Sequence, residues 1–195
     1  MNKKNGFTMI EVILVLAVAG VIFTAAFIAL PNLWASERDA ARRENVMKFV
    51  TQLKNFQTNN NRGALPGSTG YDKAKIESNA SIEVDGHNAI SSRGDTTDPT
   101  SWFGFYRDFF DDSFTDPDGE YMNLIVAKCG VKNKIGDTCD NSAFSNLNGD
   151  SGVDYNLYVH IGATCRGDSP IVSSNNRNVA VVYKLERAGQ YCYNS

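Results

Sequence analysis

Histidine is scarce in this sequence. The 195 residues contain two, His87 and His160. Neither sits in a GxSxG, HExxH or P-loop pattern, so the signatures of serine hydrolases, zinc proteases and P-loop nucleotide hydrolysis are missing. No CxxC pair occurs among the four cysteines, which argues against a zinc or thioredoxin-like centre. Positive charge is not in excess either. A net charge of −3 and a pI near 5.4 exclude a duplex nucleic-acid binder with a global basic field. At 42% hydrophobic and 21% charged residues, the composition also excludes collagen-like, coiled-coil-only and fully disordered chains. One globular domain with an appendage remains.

The appendage is at the amino terminus. Val12 to Leu30 read VILVLAVAGVIFTAAFIAL, without a charge and with only Gly20 and Thr24 as mild interruptions. At about 1.5 Å per residue a helix of this length covers most of a hydrocarbon core. A secretory signal has a shorter apolar region, with its small-residue cleavage site after it. Here Lys3, Lys4 and Gly6 come first, and Phe7-Thr8-Met9-Ile10-Glu11 opens the helix. Glu11 is the odd residue, because a carboxylate at the start of a membrane helix needs solvent at headgroup level or a partner. Cutting the chain after Gly6 supplies a partner: the new amine of Phe7, four residues away. In a bundle of identical helices one copy's Glu11 can neutralise a neighbour's terminal amine, since opposite charges attract strongly in apolar surroundings.

The segment KKNG-FTMIEVILVLAVAGVIFTAAF resembles the amino terminus of a type IV prepilin. Leader, glycine, aromatic and glutamate all fall in register before one uninterrupted apolar run. The resemblance implies that a prepilin peptidase cleaves between Gly6 and Phe7 and methylates the Phe7 amine. It makes Glu11 the filament glutamate and Gly20 a helix-loosening position. It also implies an α+β pilin fold, a long amino-terminal helix packed under an antiparallel sheet. One departure is visible, with Ile28 at the usual proline position and the proline later, as Pro31.

Pro31 lacks a backbone donor and crowds the preceding turn, so a kink without a stop is expected there. Beyond it Val46, Phe49, Val50, Leu53 and Phe56 recur at three- and four-residue spacing, the core face of an amphipathic helix. Asn59-Asn60-Asn61-Arg62-Gly63 ends it. The expected organisation is therefore a leader over residues 1–6, a membrane-spanning and filament-core helix over 7–31, its amphipathic continuation over 32–62, and a head over 63–195. Charge divides between these parts, +3 over residues 32–62 and −7 from residue 63 onward. That is either a solvated helix face and head, or basic stems that interlock with acidic heads or meet anionic lipid.

Residues 63–100 read as a long connection with little regular structure. Pro99-Thr100-Ser101 offers a cap for a short helix carrying Trp102, Phe105, Tyr106, Phe109 and Phe110, which is read as core. Tyr121–Lys128, the alternating run Tyr155, Leu157, Val159 and Ile161, and the run Val179, Val181, Tyr183 and Leu185 are strands. With a return through Tyr191-Cys192-Tyr193 they predict an antiparallel meander wrapped on the long helix.

Cys129, Cys139, Cys165 and Cys192 all lie in the head, where an even count and an external setting favour disulfides. Three connectivities are possible. Cys129–Cys139 and Cys165–Cys192 are favoured, the first closing a short loop and the second tying the last strand to the sheet. Asp116 and Asp118 around Pro117, with Asp150 and Asp154 in a second oxygen-rich turn, offer hard ligands that suit calcium. The spacing matches no EF-hand, and turns are rich in Asp for backbone reasons. Solvated carboxylates are the preferred reading, no cofactor is expected, and Asp116-Pro117-Asp118-Gly119 resembles an Asp-Pro turn of some pilins. Arg166-Gly167-Asp168 spells a receptor-binding tripeptide, which the sequence alone leaves as a chance match.

These features converge on a structural subunit of a type IV pilus filament and not an enzyme. The alternatives are a pseudopilin of a type II secretion or DNA-uptake system, a minor pilin acting as adhesin or DNA binder, and a membrane-tethered enzyme. Glu11 favours an ordinary filament member over the tip subunit that typically lacks it. The implied partners are other copies of the chain, the prepilin peptidase, an inner-membrane assembly platform, an assembly ATPase, and lipid before assembly. Nucleic acid is disfavoured as a partner but stays open. The implied location is a single-pass membrane protein that becomes a cell-surface filament, its head outside the cytoplasm.

Overall fold

A computed structural model describes residues 8–60, 63–77, 81–85, 98–110, 114–129, 134–139, 155–187 and 189–195. The chain divides into two compact units, Met1–Arg38 and Asp39–Ser195.

One helix, α1 (Met9–Asn60), contributes to both units and runs through Pro31 without a break. In the first unit its large apolar side chains are exposed all round, from Met9 and Ile10 to Phe27 and Leu33. By length and composition α1 can cross a membrane.

In the second unit the remaining stretch of α1 buries Val46, Phe49, Val50, Leu53 and Phe56, the stripe read from the sequence. They meet α2 (Gly70–Glu77) through Ile76, and a helix α3 (Trp102–Phe109) through Trp102, Phe105 and Tyr106. Ser101 caps α3, its Oγ accepting from the Gly104 N–H at 2.9 Å, and Asp72 of α2 accepts from the Trp102 N–H at 2.8 Å. The Phe49 ring stacks on Phe110 at 5.5 Å and meets Phe105 edge-on at 5.7 Å. Such pairs add to burial. The aromatics of α3 are core, as expected.

A five-stranded sheet takes the order β1 (Ile82–Val84), β2 (Asn123–Lys128), β3 (Asn156–Ile161), β6 (Val179–Lys184), β7 (Gln190–Asn194). A separate hairpin pairs β4 (Ala163–Arg166) with β5 (Ser169–Val172). The expected meander needs one correction. Three of the four pairings are antiparallel, but β2 and β3 run parallel, with Leu124 opposite Leu157 and Val126 opposite Val159. A parallel pair cannot be joined by a tight turn, and residues 129–155 separate the two strands in sequence. The architecture is still the α+β pilin fold, a long helix followed by an antiparallel-dominated sheet. Residues 63–100 need a second correction, because they contain α2 and β1. Among the described residues of that stretch Leu65, Ile76, Ile82 and Val84 reach the core, too scattered to show a period.

Leu157, Val159, Val179, Val181 and Tyr183 face the helices. The other sheet face carries a smaller cluster of Ala163, Val172, Ala180, Val182 and the disulfide cysteines. His160 alternates with Val159 onto that second side, 3% exposed. Its register neighbours are Ala127 and Ala180, small enough to leave room for an imidazole. Burial disfavours the imidazolium and pushes the His160 pKa down to about 4. The unfolded chain takes up this proton near pH 6.5 and the folded one only near pH 4. Stability from this group is therefore complete above pH 6.5 and lost as pH falls toward 4, by up to about 3 kcal/mol. Urea melts of the full chain between pH 4 and 7 should show this slope, and His160→Gln should flatten it. An unchanged slope in the variant places the titration elsewhere.

Candidate functional site

The candidate assembly site lies in the first turn of α1. Thr8 precedes the helix, and its Oγ1 accepts from the Glu11 N–H at 3.4 Å. The Glu11 carboxylate accepts in return from the Thr8 N–H and the Thr8 Oγ1, each at 3.0 Å. Thr8-Met9-Ile10-Glu11 is therefore a capping box, satisfying donors that a helix start leaves orphaned. A carboxylate in the first turn is also favoured by the helix dipole. The sequence carries this signal openly as T-x-x-E, yet its membrane position draws attention to charge instead. Gly6 and Phe7 lie outside the described residues. Gly20 has open space where a side chain would sit, and its carbonyl accepts from Thr24 Oγ1 at 2.8 Å in addition to its place in the helix.

The head is held by two disulfides. Cys129 pairs with Cys139, Cα atoms 5.0 Å apart, and Cys165 with Cys192, 5.8 Å apart. These are the favoured pairings. The first fastens the segment after β2, and the second ties the hairpin strand β4 to β7.

Arg42 is the residue whose role sequence reasoning missed. It counts there among the basic residues of a solvated or interlocking stem, but its side chain is fully buried. Its Nε donates to Asp116 Oδ2 at 2.7 Å and its Nη2 to Asp116 Oδ1 at 3.0 Å, a bidentate fork. Nη2 also donates to Asp118 at 2.9 Å, and Nη1 to Glu186 at 2.7 Å. Tyr183 Oη donates to Asp116 Oδ2 at 2.7 Å. Asp39, one turn earlier on α1, accepts from the backbone N–H of Glu186 at 2.9 Å and of Arg187 at 3.2 Å. The cluster thus fastens α1 to the turn before β2 and to the turn between β6 and β7. Burial works against the charge of Arg42, but hydrogen bonds to Asp116 and Glu186 and the attraction of Asp116 outweigh it and hold its pKa above the ordinary value. Burial likewise opposes ionisation of Asp116. The hydrogen bonds from Arg42, Tyr183 and the Asp118 N–H win, and its carboxyl stays below the usual range.

Two corrections follow. Asp116 is not a solvated turn carboxylate, being 1% exposed. Asp116 and Asp118 hold a guanidinium where the calcium reading places a cation, and Asp150 and Asp154 lie outside the described residues. Arg43 is also engaged within its own head, its guanidinium 5.5 Å from the centroid of the Tyr191 ring. A sequence signal for Arg42 existed: extended back by four from Val46, the core stripe of α1 lands on it, and by three more on Asp39.

Residues 1–27 match the family described as the prokaryotic N-terminal methylation motif. The match ends inside the apolar run and covers the leader, Gly6, Phe7, Glu11 and Gly20. It supports a prepilin-like protein of the pilin or pseudopilin type, structural in kind, membrane-anchored through α1, and processed by a prepilin peptidase for an assembly machinery. No curated protein and no solved structure matches the chain.

Proposed function

We propose that this chain is the structural subunit of a type IV pilus filament on the cell surface, assembled through the amino-terminal part of α1 after cleavage between Gly6 and Phe7. The observation that carries this reading is an apolar stretch of α1 whose large side chains are exposed among the described residues, opening on Glu11 in register with the methylation motif. An apolar helix surface of this extent needs lipid or other helices around it. Lipid serves the precursor, and copies of the same helix serve the filament.

The chemistry is performed on the chain. Gly6 lets a peptidase approach the backbone, and hydrolysis leaves an amine on Phe7, next in sequence to the Thr8 N–H that already binds Glu11. Each subunit then carries one cation and one anion at the start of its helix. In a bundle of helices these are neutralised between neighbours, which favours a staggered and regular packing.

Filaments sheared from cells and viewed by electron microscopy, with mass spectrometry of the amino-terminal peptide, test the proposal. The expected subunit begins at N-methyl-Phe7. A Met1 terminus in assembled filaments would refute the processing step, and the chain's absence from the sheared fraction would favour a short periplasmic pseudopilus.

A further inference from the structure

We propose that the tip of the β4–β5 hairpin, Arg166-Gly167-Asp168, is an adhesion site for a cell-surface receptor that holds a divalent cation with an open coordination position beside an acidic pocket. As three letters of sequence the match is weak. Its setting changes that.

All three residues are exposed, and neither charged side chain has a hydrogen-bond or ion-pair partner among the described residues. The backbone beneath them is closely held. Cys165, the residue before Arg166, is bonded to Cys192 of β7. Cys165 pairs with Pro170 and Arg166 with Ser169 across the hairpin. The Asp168 carbonyl accepts from Gln190 Nε2 at 2.6 Å. Gly167 has φ +59°, the left-handed value that opens a two-residue hairpin turn matched to strand twist. Ala163 and Val172 bury the base of the hairpin. A turn stapled in this way loses little conformational entropy when a partner takes hold of it.

The tripeptide recurs as Arg93-Gly94-Asp95, outside the described residues, and that copy serves as the sequence-matched control.

The pair of side chains selects the partner. An aspartate oxygen is a hard ligand for magnesium or calcium, and a guanidinium two residues away forks onto a carboxylate. The tip carries no net charge, so it suits a site that presents a cation and an anion together. An anionic polymer or lipid surface would be repelled by Asp168 as much as drawn by Arg166.

Binding is measured on single full-length chains in nanodiscs, disulfides intact, so it neither requires nor reports filament assembly. The immobilised probe is a receptor ectodomain selected for magnesium-dependent binding of the peptide Gly-Arg-Gly-Asp-Ser-Pro. Saturable binding is expected, abolished by EDTA and competed by that peptide but not by its Asp-to-Glu analogue. Asp168→Glu keeps the charge and displaces the carboxylate by one methylene, and it should weaken binding by about tenfold or more. Asp95→Glu should leave binding within about twofold. Peptide maps confirm that the variants keep both disulfides. Wild-type affinity in Asp168→Glu, insensitivity to EDTA, or no binding by the wild-type chain each overturns the proposal.

Discussion

Arg42→Met is expected to destabilise the head by about 3–5 kcal/mol, the usual cost of removing one partner of a buried ion pair. Domains have only about 5–15 kcal/mol in total, so the variant should melt far below the wild type or fail to accumulate. The loss does not fall evenly. Asp118 and Glu186 keep partly exposed side chains, 32% and 23%, and can turn to water. Asp116 is fully enclosed and among the described residues keeps the Tyr183 hydroxyl and the Asp118 N–H. It must take up a proton or draw in water. Arg42→Lys retains the charge but lacks the planar fork that meets both Asp116 oxygens, so an intermediate loss is expected. In Arg42→Met with Asp116→Leu the enclosed Asp116 carboxylate is gone, and the buried Asp39 that also loses Arg42 keeps two backbone donors, so the double variant should be more stable than Arg42→Met alone. Near-UV circular dichroism of the full chain during urea melts reads all four proteins. A wild-type midpoint for Arg42→Met would show that the cluster decorates a head held by other contacts. In strong acid the same pair should give way separately from His160, because the depressed Asp116 pKa keeps its contribution until pH falls below the ordinary carboxylate range.

Glu11→Gln should reduce filament yield by about tenfold or more while leaving membrane insertion, cleavage and both disulfides intact. An unpaired charge among apolar helices costs several kcal/mol per subunit, and removing the glutamate strands the Phe7 amine in that position. The capping box makes the substitution clean. Glutamine at this position still accepts from the Thr8 N–H, so the helix start is retained and only the charge is lost. Glu11→Asp retains the charge on a shorter arm and should give a partial loss. Thr8→Val provides the converse, removing the hydroxyl contacts at 3.0 and 3.4 Å while keeping the backbone bond and the carboxylate. Its filaments should be close to wild type in number. If Thr8→Val lowers the yield as far as Glu11→Gln, the order of the helix start governs assembly and charge pairing does not. Quantitative blotting of sheared filaments, normalised to cleaved subunit in the membrane, separates these outcomes.

The sequence by itself determined the elements whose cause is local. The apolar run of α1, the stripe from Val46 to Phe56, the serine cap before Trp102 and the alternation in β3 and β6 each follow from neighbours a few residues apart. Hydrophobic period and turn chemistry act at that range. The favoured disulfide pairing was legible too, Cys129–Cys139 through its short loop and Cys165–Cys192 through the strand it ties down. Only tertiary structure decided the rest. Arg42 reaches Asp116 across 74 residues and Glu186 across 144, and no local pattern says whether an arginine on a helix face meets water or a carboxylate. The parallel pairing of β2 with β3 is a choice of sheet neighbour, invisible to a strand's own alternation. Burial lowers the His160 pKa, and that burial depends on strand order, which sets Ala127 and Ala180 beside it. The same holds for Arg166-Gly167-Asp168: three letters acquire chemistry only when a disulfide and a left-handed glycine hold them at the end of a hairpin.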